Sequence, residues 1–247
     1  MSLKIALQLY SVREDTGKDF IGTLEKVAGI GYEGVEFAGY GGIEATQMKK
    51  HLDRLGLKAV SSHVGLDALK NDIDSLIKYS LEIGSRYIVC AWAPLDKLEE
   101  IKSHAELFNR IGKRCKDSGI VFGYHNHSHE FVKIDGEYAM DILCRLTDPD
   151  LVKVQFDTCW IYAAGADPVH FIRTYAKRCP MVHIKDLKNI DKKELTEIGN
   201  GIVDIRPIVD EARKIGMEWL IVEQDTCERP PLESARINYE NLRKLVV

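Results

Sequence analysis

The stretch from Leu151 to Asp186, LVKVQFDTCWIYAAGADPVHFIRTYAKRCPMVHIKD, constrains the fold more than any other part of the chain. Leu151–Phe156 is a β-branched, apolar run that stops at an acid, Asp157. Pro168–Lys177 places Val169, Ile172, Tyr175 and Ala176 at the spacing of a helix packed on a sheet. Met181–Ile184 is a second short strand that carries His183 and is followed by Lys185 and Asp186. Two parallel strands joined by a crossover helix must end on the same side of their sheet. Asp157 and His183 are therefore expected side by side at one rim, where α/β folds gather their ligands. A carboxylate and an imidazole converging there begin a metal site.

The same alternation runs along the rest of the chain. Strands are predicted at Lys4–Leu9, Tyr32–Phe37, Leu57–His63, Arg86–Ala91, Ile120–Tyr124 and Trp219–Glu223, besides the two already named. Helices are predicted at Phe20–Gly29, Glu44–Leu55, Leu66–Gly84, Asp96–Gly119, Tyr138–Leu146, Arg206–Ile215 and Ser234–Leu245. Helix after helix stops at a glycine just before a strand (Gly56, Gly84, Gly119, Gly216), as connections from helix to strand favour. Eight such units in 247 residues match a (β/α)8 TIM barrel, a single α/β domain spanning 1–247. An open doubly wound sheet would instead show a Gly-rich phosphate turn after the first strand. Tyr10-Ser11-Val12-Arg13 stands there.

Composition narrows the function classes. With 45% hydrophobic and 29% charged residues the chain can bury a sizeable core. A net charge of −4 gives no electrostatic reason to expect nucleic acid or an anionic membrane as partner. No apolar run approaches the roughly 20 residues of a spanning helix. The opening MSLKIALQLYSV lacks a signal-peptide pattern, and the six cysteines form no CxxC pair. Reduced thiols in a cytoplasmic protein are expected, and an assembly of identical copies is compatible with the sequence.

In a barrel of this kind functional residues sit at the C-terminal ends of the strands. Those ends read Gln8, Glu36, His63, Trp92, His125-Asn126-His127, Asp157, His183 with Lys185, and Glu223-Gln224. Each alone has a structural explanation: Asp157 as a helix N-cap, His183 as a satisfied core histidine, His125 to Glu130 as a solvated turn. Together, acids and imidazoles at so many ends of otherwise apolar strands point to one centre. Two carboxylates plus imidazole suit one divalent metal ion, Mn, Mg, Co or Zn. Trp92 and Trp160, just past strand ends, offer flat walls against which a sugar ring can stack.

The segments YHNHSHEF, FDTCW followed by AAGADP, VHIKD and IVEQD, in this order and spacing, resemble the sugar phosphate isomerase/epimerase superfamily of xylose-isomerase-like barrels. Inosose dehydratases belong to the same group and endonuclease IV lies further off. IALQLYSVRED and YEGVEFAG are similar too, so the resemblance covers essentially the whole chain. It implies one metal held by Asp157, His183 and Glu223, with His125 where ketose epimerases carry glutamate. Trp160 stands where a histidine is usual.

The resemblance further implies a small sugar or cyclitol substrate and a metal-stabilised ene-diolate, with Glu223 moving the proton and His125 or Glu130 as second acid/base. Gln8, Glu36, His63, Trp92, His127, Trp160 and Lys185 are the expected substrate contacts. Isomerisation or epimerisation is the main expectation, and elimination of the inosose-dehydratase type the alternative. An endonuclease-IV-like nuclease would want more ligands and a basic face. A sugar-binding barrel without catalysis would leave the Asp157, His183 and Glu223 set without purpose.

Overall fold

A computed structural model of the chain describes residues 3–246; Met1, Ser2 and Val247, the ends of the expected 1–247 unit, lie outside the described residues. Eight parallel strands close into a barrel. They are numbered in chain order: β1 Lys4–Gln8, β2 Gly34–Phe37, β3 Lys58–Val64, β4 Tyr87–Cys90, β5 Val121–His125, β6 Val152–Asp157, β7 Met181–Ile184 and β8 Trp219–Val222. Each pairs with its sequence neighbours, and β1 pairs with β8 to shut the sheet. The (β/α)8 expectation from strand count and glycine stops is met.

The helices form where the sequence signals start and stop. Asp19 caps Phe20–Ile30 by accepting the Gly22 backbone N–H at 2.9 Å, and Gly31 ends it at φ 118°. Leu98–Asp117 lies so close to the approach to β6 that a Cβ on Gly112 would meet the Leu151 carbonyl oxygen at 2.3 Å. The predicted long helix Leu66–Gly84 is instead two, Leu66–Asn71 and Ile73–Ile83. Asp72 breaks it at φ −141°, donating its N–H to the Ala68 carbonyl and accepting the Leu76 N–H on its own carbonyl. Asn71 and Asp72, both weak formers of helix interiors, stand at the break.

Six elements were not expected: a helix Thr158–Ala163 directly after β6, a 3-10 turn Leu9–Val12 and a helix Arg13–Lys18 after β1, a 3-10 turn His129–Phe131 after β5, and two small hairpins. The hairpins pair Lys133–Ile134 with Glu137–Tyr138, and Asp186–Asn189 with Glu194–Thr196. No helix among the described residues is long and apolar enough to cross a membrane.

The barrel interior is stratified. Ala6, Val60, Met181, Trp219 and Ile221 plug its lower part as an apolar cluster separate from the core between sheet and helices. Above the plug lies a fully buried polar layer: Gln8, Glu36, Ser61 and Gln155. Register explains it, since Gln8 lies opposite Glu36 and Glu36 opposite Ser61. Buried polar groups persist only when hydrogen-bonded, and each of these four is.

Candidate metal centre

The polar layer sets the state of the histidines above it. Gln155 donates its Nε2–H to Glu36 Oε2 at 2.6 Å, so its Oε1 must accept. His125 gives Nδ1–H to that oxygen at 3.0 Å, and His63 gives Nε2–H to it at 2.7 Å. Glu36 Oε1 lies 2.6 Å from His183 Nε2 and 2.7 Å from Gln8 Nε2, and a carboxylate can only accept. With these nitrogens committed below, His125 Nε2 and His183 Nδ1 face upward.

Two carboxylates meet them. Asp157 Oδ2 is 3.8 Å from His125 Nε2, and Glu223 Oε2 is 2.9 Å from His183 Nδ1. His125, Asp157, His183 and Glu223 each offer a ligand atom within 4.8 Å of all the others. Asp157 also caps Thr158–Ala163, accepting the Trp160 N–H at 3.0 Å through Oδ1. Its Oδ2 is buried without a hydrogen bond, although Lys185 Nζ stands 3.0 Å away off the hydrogen-bonding direction. The N-cap explanation of Asp157 thus accounts for one oxygen and leaves the other aimed at the cluster. Asn126 locks the two strand ends together by accepting the Asp157 N–H at 3.0 Å.

These residues fit a divalent metal ion. The donor set is two imidazole nitrogens and two carboxylate oxygens, suited to zinc, cobalt or manganese. Each histidine donates its other N–H to an amide or carboxylate oxygen, the arrangement that fixes a ligating tautomer. Asp157 Oδ2, without a hydrogen bond and with only the off-axis Lys185 ammonium beside it, is free to act as a ligand.

The charges are strongly coupled. Burial alone would raise Glu36, but the His63 and His183 charges and the His183 and Ser61 hydrogen bonds hold it at about 2. Burial opposes charge on His183, yet Glu36 and Glu223 carry it up to about 10. Burial keeps His125 well below its ordinary value, helped by the neighbouring imidazoles. Burial also raises Asp157. Glu223 is held well below the carboxylate range despite its burial, chiefly by the Lys185 ammonium. Lys185 itself is buried, with Glu223 Oε2 at 2.7 Å and Asp225 Oδ2 at 2.8 Å, and remains a cation.

A cavity of about 450 Å³ opens above the cluster, lined by Tyr10, Trp92, His63, His125, His127, Glu223 and Asp225 among others. Tyr10 and Trp92 are 43% and 51% exposed, although the Arg13 guanidinium stands 4.2 Å from the Tyr10 ring centroid and covers one of its faces. Other expected contacts lie elsewhere. Gln8 and Glu36 are fully buried beside the centre, Gln8 donating to Glu36 and Glu36 accepting from His183. Glu130 is turned away from the cavity, its oxygens accepting the Tyr124 hydroxyl and the His127 N–H. Trp160 faces the Lys185 ammonium at 5.3 Å. Gln155 and Asp225 were not singled out from sequence. Gln155 was legible as the polar residue in VKVQFD two positions before Asp157, hence on the same strand face.

Comparison with known proteins agrees with this architecture. The family model described as xylose isomerase-like TIM barrel matches residues 24–245. An inosose dehydratase of Geobacillus kaustophilus is 27% identical, the match covering 90% of this chain and 86% of that protein. A solved sugar phosphate isomerase/epimerase from Parabacteroides distasonis superposes with a TM-score of 0.84 at 26% identity, covering 100% of this chain and 96% of that one. The zinc-bound IolI protein superposes with a TM-score of 0.80 at 14% identity, covering 99% and 98%, a likeness of fold.

Proposed function

The chain belongs to the xylose isomerase-like TIM barrel family, and on that premise we propose that it is a divalent-metal-dependent lyase that removes water from a keto-sugar or keto-cyclitol. A metal held by His125, Asp157, His183 and Glu223 would supply Lewis-acid polarisation of the substrate carbonyl. The protein's own groups do the rest. Tyr10 and Trp92 hold the ring, and Glu223 takes the proton α to the carbonyl. His63, on the opposite wall, protonates the departing β-hydroxyl. The carbon–hydrogen electrons become the new double bond as the carbon–oxygen bond breaks, and water leaves.

One observation carries the choice of elimination. Both carboxylates lining the cavity, Glu223 and Asp225, come from the end of β8, and the wall across from them carries imidazoles. An epimerase working on both faces of one carbon wants a base on each. The dehydratase relative supports the same reading, and the zinc of the IolI protein supports the metal. Isomerisation or epimerisation is the second reading, supported by the 26% identical isomerase/epimerase structure.

Metal-loaded protein incubated with keto-sugars and inososes in deuterated water separates the two by NMR. Loss of water with appearance of an enone or dione is expected. Deuterium exchange or epimer formation without water loss would establish the second reading. Neither change in any substrate, with metal bound, would reject both.

A further inference from the structure

Beside the cavity, the loop leaving β5 gathers a second set of ligand atoms that the proposed reaction does not use as ligands. His127, His129 and Glu130 each offer one, all within 4.8 Å of one another. Their hydrogen bonds assign their states. The Ala93 carbonyl can only accept, so His129 donates Nε2–H to it at 3.0 Å. In the neutral ring this leaves the His129 Nδ1 lone pair facing Glu130 Oε2 at 3.2 Å. Glu130 cannot turn aside. Its Oε1 accepts the Tyr124 hydroxyl at 2.6 Å and its Oε2 the His127 backbone N–H at 2.9 Å. Two acceptors held face to face require positive charge between them. His127 adds to the demand, for its Nδ1 is buried without a partner. A proton shared by His129 and Glu130 leaves His127 unsatisfied, whereas a cation can engage all three residues.

We infer that His127, His129 and Glu130 form a second divalent-cation site, of two imidazoles and one carboxylate, for an ion of the zinc or cobalt type. The 3.2 Å between His129 Nδ1 and Glu130 Oε2 suits it. Ligands at about 2.0–2.1 Å from a tetrahedral ion stand roughly 3.4 Å apart. The site shares no residue with the first cluster. It faces the cavity rim beside Trp92, whose ring centroid is 5.7 Å from that of His129. Three protein ligands leave a tetrahedral ion one further position for water or another donor.

The test is a cobalt(II) titration of untagged, chelator-stripped protein, read by visible absorption and by metal content after desalting. Wild type, His129→Gln, and the Asp157→Asn/Glu223→Gln double variant are compared, with circular dichroism to verify folding. His129→Gln is chosen because that side chain is partly exposed, and His127→Gln serves as a second probe of the same site. Two equivalents are expected in wild type, one in His129→Gln and one in the double variant. Equal binding by wild type and both histidine variants would overturn the second site whatever the double variant does. A single wild-type equivalent that His129→Gln loses and the double variant keeps would uphold the second site and reject the first.

Discussion

Lys185 sits in a place a metal would contest. Its ammonium lies against Asp157 Oδ2 and Glu223 Oε2, two oxygens of the proposed ligand set, and reaches Asp225 as well. In Lys185→Met the carboxylates lose their internal cation. Removing one partner of a buried pair costs roughly 3–5 kcal/mol, so chelator-treated protein should unfold at lower urea. The same change removes a positive charge beside the metal and a competitor for its ligands, so metal affinity should rise. Unfolding curves paired with metal titrations check both; reduced affinity would mean that Lys185 orients the ligands rather than competing for them. Glu36 has the opposite role. It holds His183 from below, and partners of that kind carry 10–100-fold of metal affinity. Glu36→Gln keeps the shape and weakens the acceptor, so affinity should fall by that order. Calorimetric titration that finds unchanged affinity would remove Glu36 from the centre.

At the scale of elements, the barrel strands and most helix ends were readable because each strand is a short apolar run and several helices end on glycine. The hairpins were not. Strands of two to four residues carry too few alternations to register as a period. Depth inside the barrel was also hidden. Reading Glu36 as a strand end placed it at the mouth as a substrate contact, whereas its carboxylate is fully buried and engaged by Gln8, Ser61, Gln155 and His183. The convergence of His125, Asp157, His183 and Glu223 was readable, since parallel strands bring their ends to one rim. The orientation of their rings was not, because it depends on Gln155 and Glu36. Helix packing yields its own prediction. Gly112→Ala would drive a Cβ into the Leu151 carbonyl, which is backbone and cannot rotate away. Destabilisation by roughly 1–3 kcal/mol is expected, and because the contact lies on the helical layer, metal stoichiometry should not change. Thermal unfolding beside metal analysis tests the two parts separately.

For the molecule as a whole, the buried charges make stability depend on pH, and metal should change that dependence. In chelator-treated protein His183 is raised from its ordinary 6.5 to about 10. Its contribution is therefore complete below about pH 6.5 and disappears as pH climbs towards 10. Glu36 is lowered from 4.5 to about 2, so its contribution is complete above 4.5 and disappears as pH falls through that interval. Glu223, also lowered, adds to the acid loss, while Asp157, raised by burial, partly offsets it. Metal-free protein should thus be most stable between about pH 4.5 and 6.5. A metal ion needs the His183 Nδ1 lone pair and must displace the proton held there, since Nε2–H is committed to Glu36. Binding near pH 7 should release about one proton, affinity should strengthen as pH rises, and the alkaline loss of stability should flatten in loaded protein. Calorimetry in buffers of different ionisation enthalpy counts the proton directly. Binding without release would mean that His183 stays an imidazolium between Glu36 and Glu223, leaving the ion to His125, Asp157 and Glu223 alone.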